Sequence, residues 1–528
     1  MDTPTNMSRD GLDDVSLADV EASAPRPGAL RKAGAVGAAT TLAGGSALAM
    51  LTAFAAPAAA ATFTVTQATD DGRGSVPGSL SWAIAQADAD ATADVIDFSP
   101  SLTTITFSGD ADQVSITKAL SIVGPGAGAL TIDFDGNCGL VAVLDNDVAL
   151  SVSGLTFVGG SAANCRSRNS NMGGALAVYG GGGVASLTIT GVTFDNNYAY
   201  YYGGGMGCEG IITVLIADST FTDNTSSAGA GGGLYLNCEQ DATISGSFFS
   251  GNTAGDDGGG LAVSVAGGNL VTVVNSTFTG NTGGAGGASF ENGTALVRNS
   301  TFYGNQGSFG GGLQGDVPVT IVQSTITGNT ADDGGGIGWA QGYFFGASSY
   351  TNFTIIQSTV SGNTASSGVG NELSVRQVNA TPQPSSIIGS IIAGTASGSA
   401  IDTIGAGAST DFPIEISSSL IGSVTDTSIT DLGGNTFDVT DPLLEDLADN
   451  GGPTKTMLPA AGSPAIDAGP ATVPDFEGNG FDQRGTPFVR VYNGRIDVGA
   501  VELQPEPEPT PPDPTPPDPD PVVPVFTG

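Results

Sequence analysis

The sequence predicts an all-β chain wound as a right-handed parallel β-helix (solenoid), with an N-terminal cap and an irregular C-terminal region. Three observations predict it: a tandem repeat, period-2 apolar alternation inside each repeat, and an unusual composition. Gly accounts for 82 of 528 residues and charged residues for 12%, while 39% are hydrophobic. An average chain holds about 7% Gly and about 25% charged residues. Much glycine, little charge and enough apolar material point to short strands between many tight turns, not to disorder.

The repeat reads S-T-F-x-x-N, followed by a Gly cluster and an apolar residue. Its apolar position is Phe194, Phe221, Phe249, Phe278, Phe302, Ile326 and Val360, at spacings of 27, 28, 29, 24, 24 and 34. Three residues later stand Asn197, Asn224, Asn252, Asn281, Asn305, Asn329 and Asn363. Five residues before the apolar position stand Ile189, Ile216, Ile244, Val273, Val297, Ile321 and Ile355, with a further apolar residue two places earlier. That alternation puts both columns on one strand face. Gly clusters such as Gly203–Gly205, Gly231–Gly233 and Gly258–Gly260 suit turns that need positive φ or close backbone approach. One unit cannot bury its apolar face alone, so coils must stack, Phe over Phe inside and Asn over Asn at a turn. Leucine-rich repeats share the period, but the columns here are β-branched and no 3.6-residue periodicity occurs in the repeats.

The elements follow in order. Residues 1–61 read as a secretory signal peptide: Arg26, Arg31 and Lys32 precede an uncharged small-residue stretch, and Ala56 to Ala61 offers A-x-A-like cleavage sites. The competing reading is a transmembrane anchor over 33–61. Residues 62–137 form the N-terminal cap and first coils, with an amphipathic helix over Ser79 to Asp88 closing the open end by Leu80, Ala83, Ile84 and Ala87. Residues 138–400 hold the repeats. Residues 401–503 hold the last coils and a C-terminal cap. Residues 504–528 form a Pro-rich acidic tail of polyproline character.

Beyond residue 61 there are 46 acidic and 10 basic residues. That surface repels nucleic acid and anionic membranes, so neither is expected as a partner, and the mature chain is not expected to insert in a membrane. Cys138 and Cys165 lie 27 residues apart and Cys208 and Cys238 lie 30 apart, each near one repeat. Two disulfides between neighbouring coils are expected, with buried free thiols as the alternative.

The F-x-x-N and G-G pairing resembles the repeats of chlamydial polymorphic outer membrane proteins and related bacterial β-helix proteins. Gly78-Ser-Leu-Ser-Trp-Ala-Ile-Ala-Gln-Ala87, Asp94-Val-Ile-Asp-Phe98 and Val123-Gly-Pro-Gly126 are similar to the CSLREA entry segment, with its Cys and Arg-Glu replaced. Asp449-Asn-Gly-Gly-Pro-Thr454, Gly462-Ser-Pro-Ala-Ile-Asp-Ala-Gly469, Asp482-Gln-Arg-Gly485 and Arg495-Ile-Asp-Val-Gly-Ala-Val-Glu502 look like the choice-of-anchor-Q region. Together the resemblance spans most of 62–503 and implies an extracellular β-helix, often assigned to adhesion. The chain departs from the polymorphic proteins in showing no membrane barrel after Glu502.

Two functions stay open. One is a non-catalytic secreted or cell-surface protein acting in adhesion or in glycan or protein binding. The other is an extracellular polysaccharide lyase or glycoside hydrolase of the pectin-lyase-like fold. The chain has no His, and between 150 and 400 it has no Lys and only Arg166, Arg168, Arg298 and Arg376. No catalytic residue, metal ligand or cofactor is therefore assigned. Ca2+ could use the oxygens of Asp256-Asp257 or Asp332-Asp333, but these pairs, three coils apart, cannot share one ion, and ordinary turn Asp is the better reading. Arg298 reads as a solvated face charge with no carboxylate beside it. Ligand contact falls to aromatic loops: Tyr198, Tyr200, Tyr201 and Tyr202, then Trp339 and Tyr343 in the 34-residue coil. Packing against the rod's own side is the alternative.

Overall fold

The computed structural model describes residues 60–504 apart from 90–91, 112–113, 166–171, 266, 342–351, 368–369, 378–383, 395–397, 406–412 and 426–428. The leader expected over 1–61 lies outside the described residues save its last two positions. Tyr343 and the Pro-rich tail beyond 504 also lie outside them.

The alternating strands assemble into three parallel sheets of fourteen, thirteen and eleven strands, each strand pairing with its copies on the neighbouring coils. At about 4.8 Å per strand step the first sheet runs about 60 Å. The column expected from Ile189 pairs in register with Ile216, Ile244, Val273, Val297, Ile321 and Ile355. The second sheet stacks Phe194, Phe221, Phe249, Phe278 and Phe302, all fully buried, with centroids 4.9, 4.7, 4.5 and 4.5 Å apart. Ile326 and Val360 continue that column. Phe107, Phe134 and Phe157 extend it downwards, outside the strict motif. Each buried ring contributes about 2–3 kcal/mol by area, and each well-placed ring pair about 1 kcal/mol more.

The Asn column is a continuous buried ladder. Asn252 Oδ1 accepts from the backbone N and Nδ2 of Asn224, both at 3.0 Å, while Asn252 Nδ2 donates to Asn281 Oδ1 at 2.9 Å and to the Phe221 carbonyl at 2.8 Å. The same four bonds recur from Asn224 to Asn329, and Asn197 differs only in that its Oδ1 accepts from Gly160 N. Glu372 ends it, accepting from Asn363 Nδ2 at 2.6 Å, and burial pushes its carboxyl up to about 8. The Ser of S-T-F builds a second ladder. Ser247, Ser276, Ser300, Ser324 and Ser358 each accept from the backbone N of the Ser one coil earlier.

Turn geometry explains the Gly clusters. Gly231 has φ +69°, and a Cβ on Gly232 would lie 2.3 Å from the Gly259 carbonyl oxygen and 2.5 Å from that of Thr253. The helix Leu80–Ala87 caps the first coils as expected, with Leu80, Ala83, Ile84 and Ala87 buried. Ser79 caps it in turn, its hydroxyl accepting from Trp82 N.

Three expectations need correction. Cys138 and Cys165 form a disulfide. Cys208 and Cys238 instead stand as buried free thiols, their sulfurs 2.9 Å apart. Cys208 is paired with Leu236 and Cys238 with Gly210, so the two thiols sit diagonally on neighbouring strands and not opposite each other. Burial pushes the Cys208 thiol well above its ordinary value.

The region after 431 does more than cap the end. It folds back as a strap along the outer face of the second sheet. Gln483 Nε2 donates to Thr301 Oγ1 at 3.0 Å, its Oε1 accepts from Thr325 Oγ1 at 2.6 Å, and Ala500 N donates to Thr359 Oγ1 at 3.1 Å. Thr301, Thr325 and Thr359 are buried beneath it, whereas Thr193, Thr220 and Thr277 at the equivalent places are half-buried. Arg484, bound to Asp482 at 2.7 Å and lying over the Phe488 ring, rigidifies the strap. The strap also supplies the carboxylate not expected beside Arg298: Glu477 lies 2.9 Å from its guanidinium.

Candidate functional site

The third sheet carries the site. Its strands include Leu234–Cys238, Leu261–Ser264, Ala288–Glu291, Leu313–Gly315, Ile337–Gln341 and Leu373–Gln377. Alternation sends Leu234, Leu261, Ala288, Leu313, Ile337 and Leu373 inward, and Tyr235, Ala262, Ser289, Gln314, Gly338 and Ser374 outward in one registered column. An outward column is normally wet, yet Ser289, Gln314 and Ser374 are at most 2% exposed. The loops entering these strands stand beside the sheet as a ledge built from Asp256-Asp257, Gly283-Gly284, Ser308-Phe309 and Asp332-Asp333.

Between ledge and sheet lies a cleft of about 560 Å3, lined by Asp256, Asp257, Phe309, Gln314, Asp332 and Arg376 among others. Asp332 of one acidic pair thus lines the same cleft as Asp256 and Asp257 of the other. The Arg376 guanidinium pairs with Asp333 and lies 4.4 Å over the Phe309 ring. Asp332 accepts from Ser366 Oγ at 3.0 Å. Asp256 and Asp257 line the cleft without such neutralisation, and Glu291 and Asp316, at strand ends of the same sheet, stand outside its lining. Burial, then the adjacent Asp256, raises Asp257 to about 6. Burial and Asp257 raise Asp316 to about 6. Burial, followed by Asp257, Asp316 and Asp256, raises Glu291 to about 8. No ion pair among the described residues reaches these four. Gln314 shares a hydrogen bond with Asp257, but its Oε1 has no partner.

Towards the N-terminal end the same face turns aromatic. Tyr202 stacks on Tyr235 at 4.5 Å, Tyr201 lies 6.0 Å from Tyr202, and Tyr200 sits edge-on to Tyr201 at 4.6 Å. Tyr200, Tyr201 and Tyr202 are 43, 41 and 41% exposed, so they pack on the rod while still facing solvent. Tyr198 is half-buried, its hydroxyl 2.8 Å from Ser227 Oγ. The field of Glu291 reaches Tyr235, whose phenol is pushed upward mainly by burial and then by Tyr202, which links the aromatic and acidic parts of the face. Trp339 does not belong to this surface. It is 1% exposed, because strand alternation after Ile337 turns it inward against Phe353.

Sequence reasoning missed Asp257, Glu291, Gln314, Asp316 and Arg376 as a group. A signal existed: the residue four places after each Gly cluster is Ser264, Glu291, Asp316 and Ala340, and Arg376 pairs with Ala340. Among the described residues no group of three or more His, Cys, Asp or Glu side chains could hold a metal ion. None of their helices is long and apolar enough to cross a membrane.

Residues 131–286 and 220–381 match the family model described as right handed beta helix region. The chain is a right-handed parallel β-helix. A solved structure, the crystal structure of pectate lyase Pel9A, aligns to this β-helix with 16% identity. The alignment covers 85% of this chain and 97% of that one, at a TM-score of 0.32, and that score carries no inference about activity. None of the curated proteins matches the chain.

Proposed function

We propose that this β-helix is a secreted or cell-surface protein that holds a glycan along the outer face of its third sheet, serving adhesion or glycan binding without requiring catalysis. The observation supporting it is that one face carries exposed, stacked tyrosines at one end and a carboxyl- and amide-lined cleft at the other. Aromatic rings cover the apolar faces of ligands while keeping a polar handle, and carboxylates and amides accept from hydroxyl groups. Export is supported by the Ala-rich stretch that follows Arg26, Arg31 and Lys32 and by the Cys138–Cys165 disulfide, which suits an oxidising compartment.

A triple substitution of Tyr200, Tyr201 and Tyr202 to Ala tests the reading on a glycan array. Weakened retention is expected; unchanged retention removes the aromatic half of the site. A second reading, glycoside hydrolysis, is favoured by carboxyls of unequal strength on one face, Glu291 raised to about 8 by burial and by the fields of Asp257 and Asp316, which are themselves raised to about 6. Such a split supplies a proton donor and a carboxylate at one pH. It predicts release of reducing ends from a bound polysaccharide, abolished by Glu291→Gln. Lyase chemistry is less supported, since Arg376 is already paired with Asp333.

A further inference from the structure

The cleft is built from acceptors. Asp256 is exposed and Asp257 is 6% exposed, and both line it without an ion pair. Gln314, 2% exposed, points into the same space from the sheet, and its Oε1 has no partner. An unmade acceptor at that depth costs free energy unless something donates to it. Ser289 Oγ, paired in register with Gln314 on the neighbouring coil, is likewise buried and unpartnered. The described cation at the cleft, Arg376, is spent on Asp333 and on the Phe309 ring. A ligand completing this site must bring donors and positive charge. The chain's net charge of −38 acts in the same direction, repelling anionic polymers before they reach the face.

We propose that the cleft takes an amino sugar, a saccharide unit bearing a primary ammonium, with the ammonium seated between Asp256 and Asp257 and a donor of the sugar meeting Gln314 Oε1. This rests on the glycan-binding reading and narrows its ligand: neutral N-acetylated sugars lack the charge, and polyuronates carry the wrong one. An ammonium presents three donors and no acceptor, which complements this lining.

Calorimetric titration of the full chain tests it with four probes: a glucosamine oligomer, its fully N-acetylated form, an oligogalacturonate of equal length, and spermidine. The glucosamine oligomer is expected to bind about tenfold or more tighter than the acetylated form, with no binding of oligogalacturonate. Asp257→Asn and the exposed Asp256→Asn, each checked for an unchanged far-UV spectrum, should each weaken glucosamine binding about tenfold, and by a larger factor than they weaken binding of the acetylated form. Gln314→Met should weaken it as well, although its charge is unaltered. Equal affinity for the amino and acetylated oligomers would overturn the amino-sugar assignment and leave glycan binding standing. Spermidine matching the glucosamine oligomer would overturn the assignment too, by making the cleft a general cation site. Binding of none of the saccharides would defeat the glycan reading itself.

Discussion

Replacing Asn281 by Ala probes the interaction that most defines this β-helix. Asn281 is fully buried. Its Oδ1 accepts from Asn252 N at 3.0 Å and Asn252 Nδ2 at 2.9 Å, and its Nδ2 donates to Asn305 Oδ1 at 2.9 Å and the Phe249 carbonyl at 3.0 Å. Asn252 Nδ2 keeps the Phe221 carbonyl, and Asn305 Oδ1 keeps the Asn281 amide, so those two groups lose only part of their bonding. The Asn252 backbone N–H loses its acceptor inside the rod. One orphaned buried donor costs about 1–3 kcal/mol and each of the three further lost bonds about 0.5–1.5 kcal/mol, so the whole change should cost about 2.5–7.5 kcal/mol. In a solenoid this cost falls on the interfaces to the coils above and below. Guanidinium unfolding measures the total, and hydrogen exchange across 249–253 and 278–306 locates it. Thr279→Ala, at a half-buried neighbour, is the reference. A loss under about 1 kcal/mol, or one no larger than that of the reference, would refute the idea that the ladder holds the coils in register.

Other consequences are open to measurement. Glu291 and Glu372 at about 8, Glu502 at about 7, and Asp257 and Asp316 at about 6 all lie above their ordinary values. Between about pH 4 and 8 the folded chain therefore holds more protons than the unfolded one, and stability falls as pH rises through that window. Tm should be lower at pH 8.5 than at pH 5, with a shallower slope in Glu291→Gln; a Tm that rises over this range contradicts the burial of these acids. Alkylation in denaturant without reductant should label two of the four cysteines, Cys208 and Cys238, and labelling of none would mean that a second disulfide exists. Opening the 27-residue loop of Cys138–Cys165 by Cys165→Ser should cost about 3.5 kcal/mol on chain-entropy grounds. Gln483→Ala removes the strap's bonds to Thr301 and Thr325, and limited proteolysis should then release the segment after 431 while the repeats stay intact. Cleavage within the repeats first would show that the strap is not a separately held layer.

The amino-acid sequence alone determined the coil. Period-2 alternation, the Phe and Asn columns and the Gly clusters are local patterns repeated at fixed spacing, and in a solenoid each coil meets only its neighbours. Residues one repeat apart must then lie over one another, as Phe221, Phe249 and Phe278 do. Even the cap helix was legible, since its stripe of Leu80, Ala83, Ile84 and Ala87 has one apolar face to bury. The cleft needed the tertiary structure. Asp257, Gln314 and Arg376 stand on different coils, and how far the loops rise over the sheet sets their distance, not any spacing along the chain. The inward turn of Trp339 came from strand alternation inside a coil whose length had suggested a loop. The strap came last of all, because Arg298 to Glu477 and Thr325 to Gln483 join residues more than 150 positions apart, where no repeat relates one to the other.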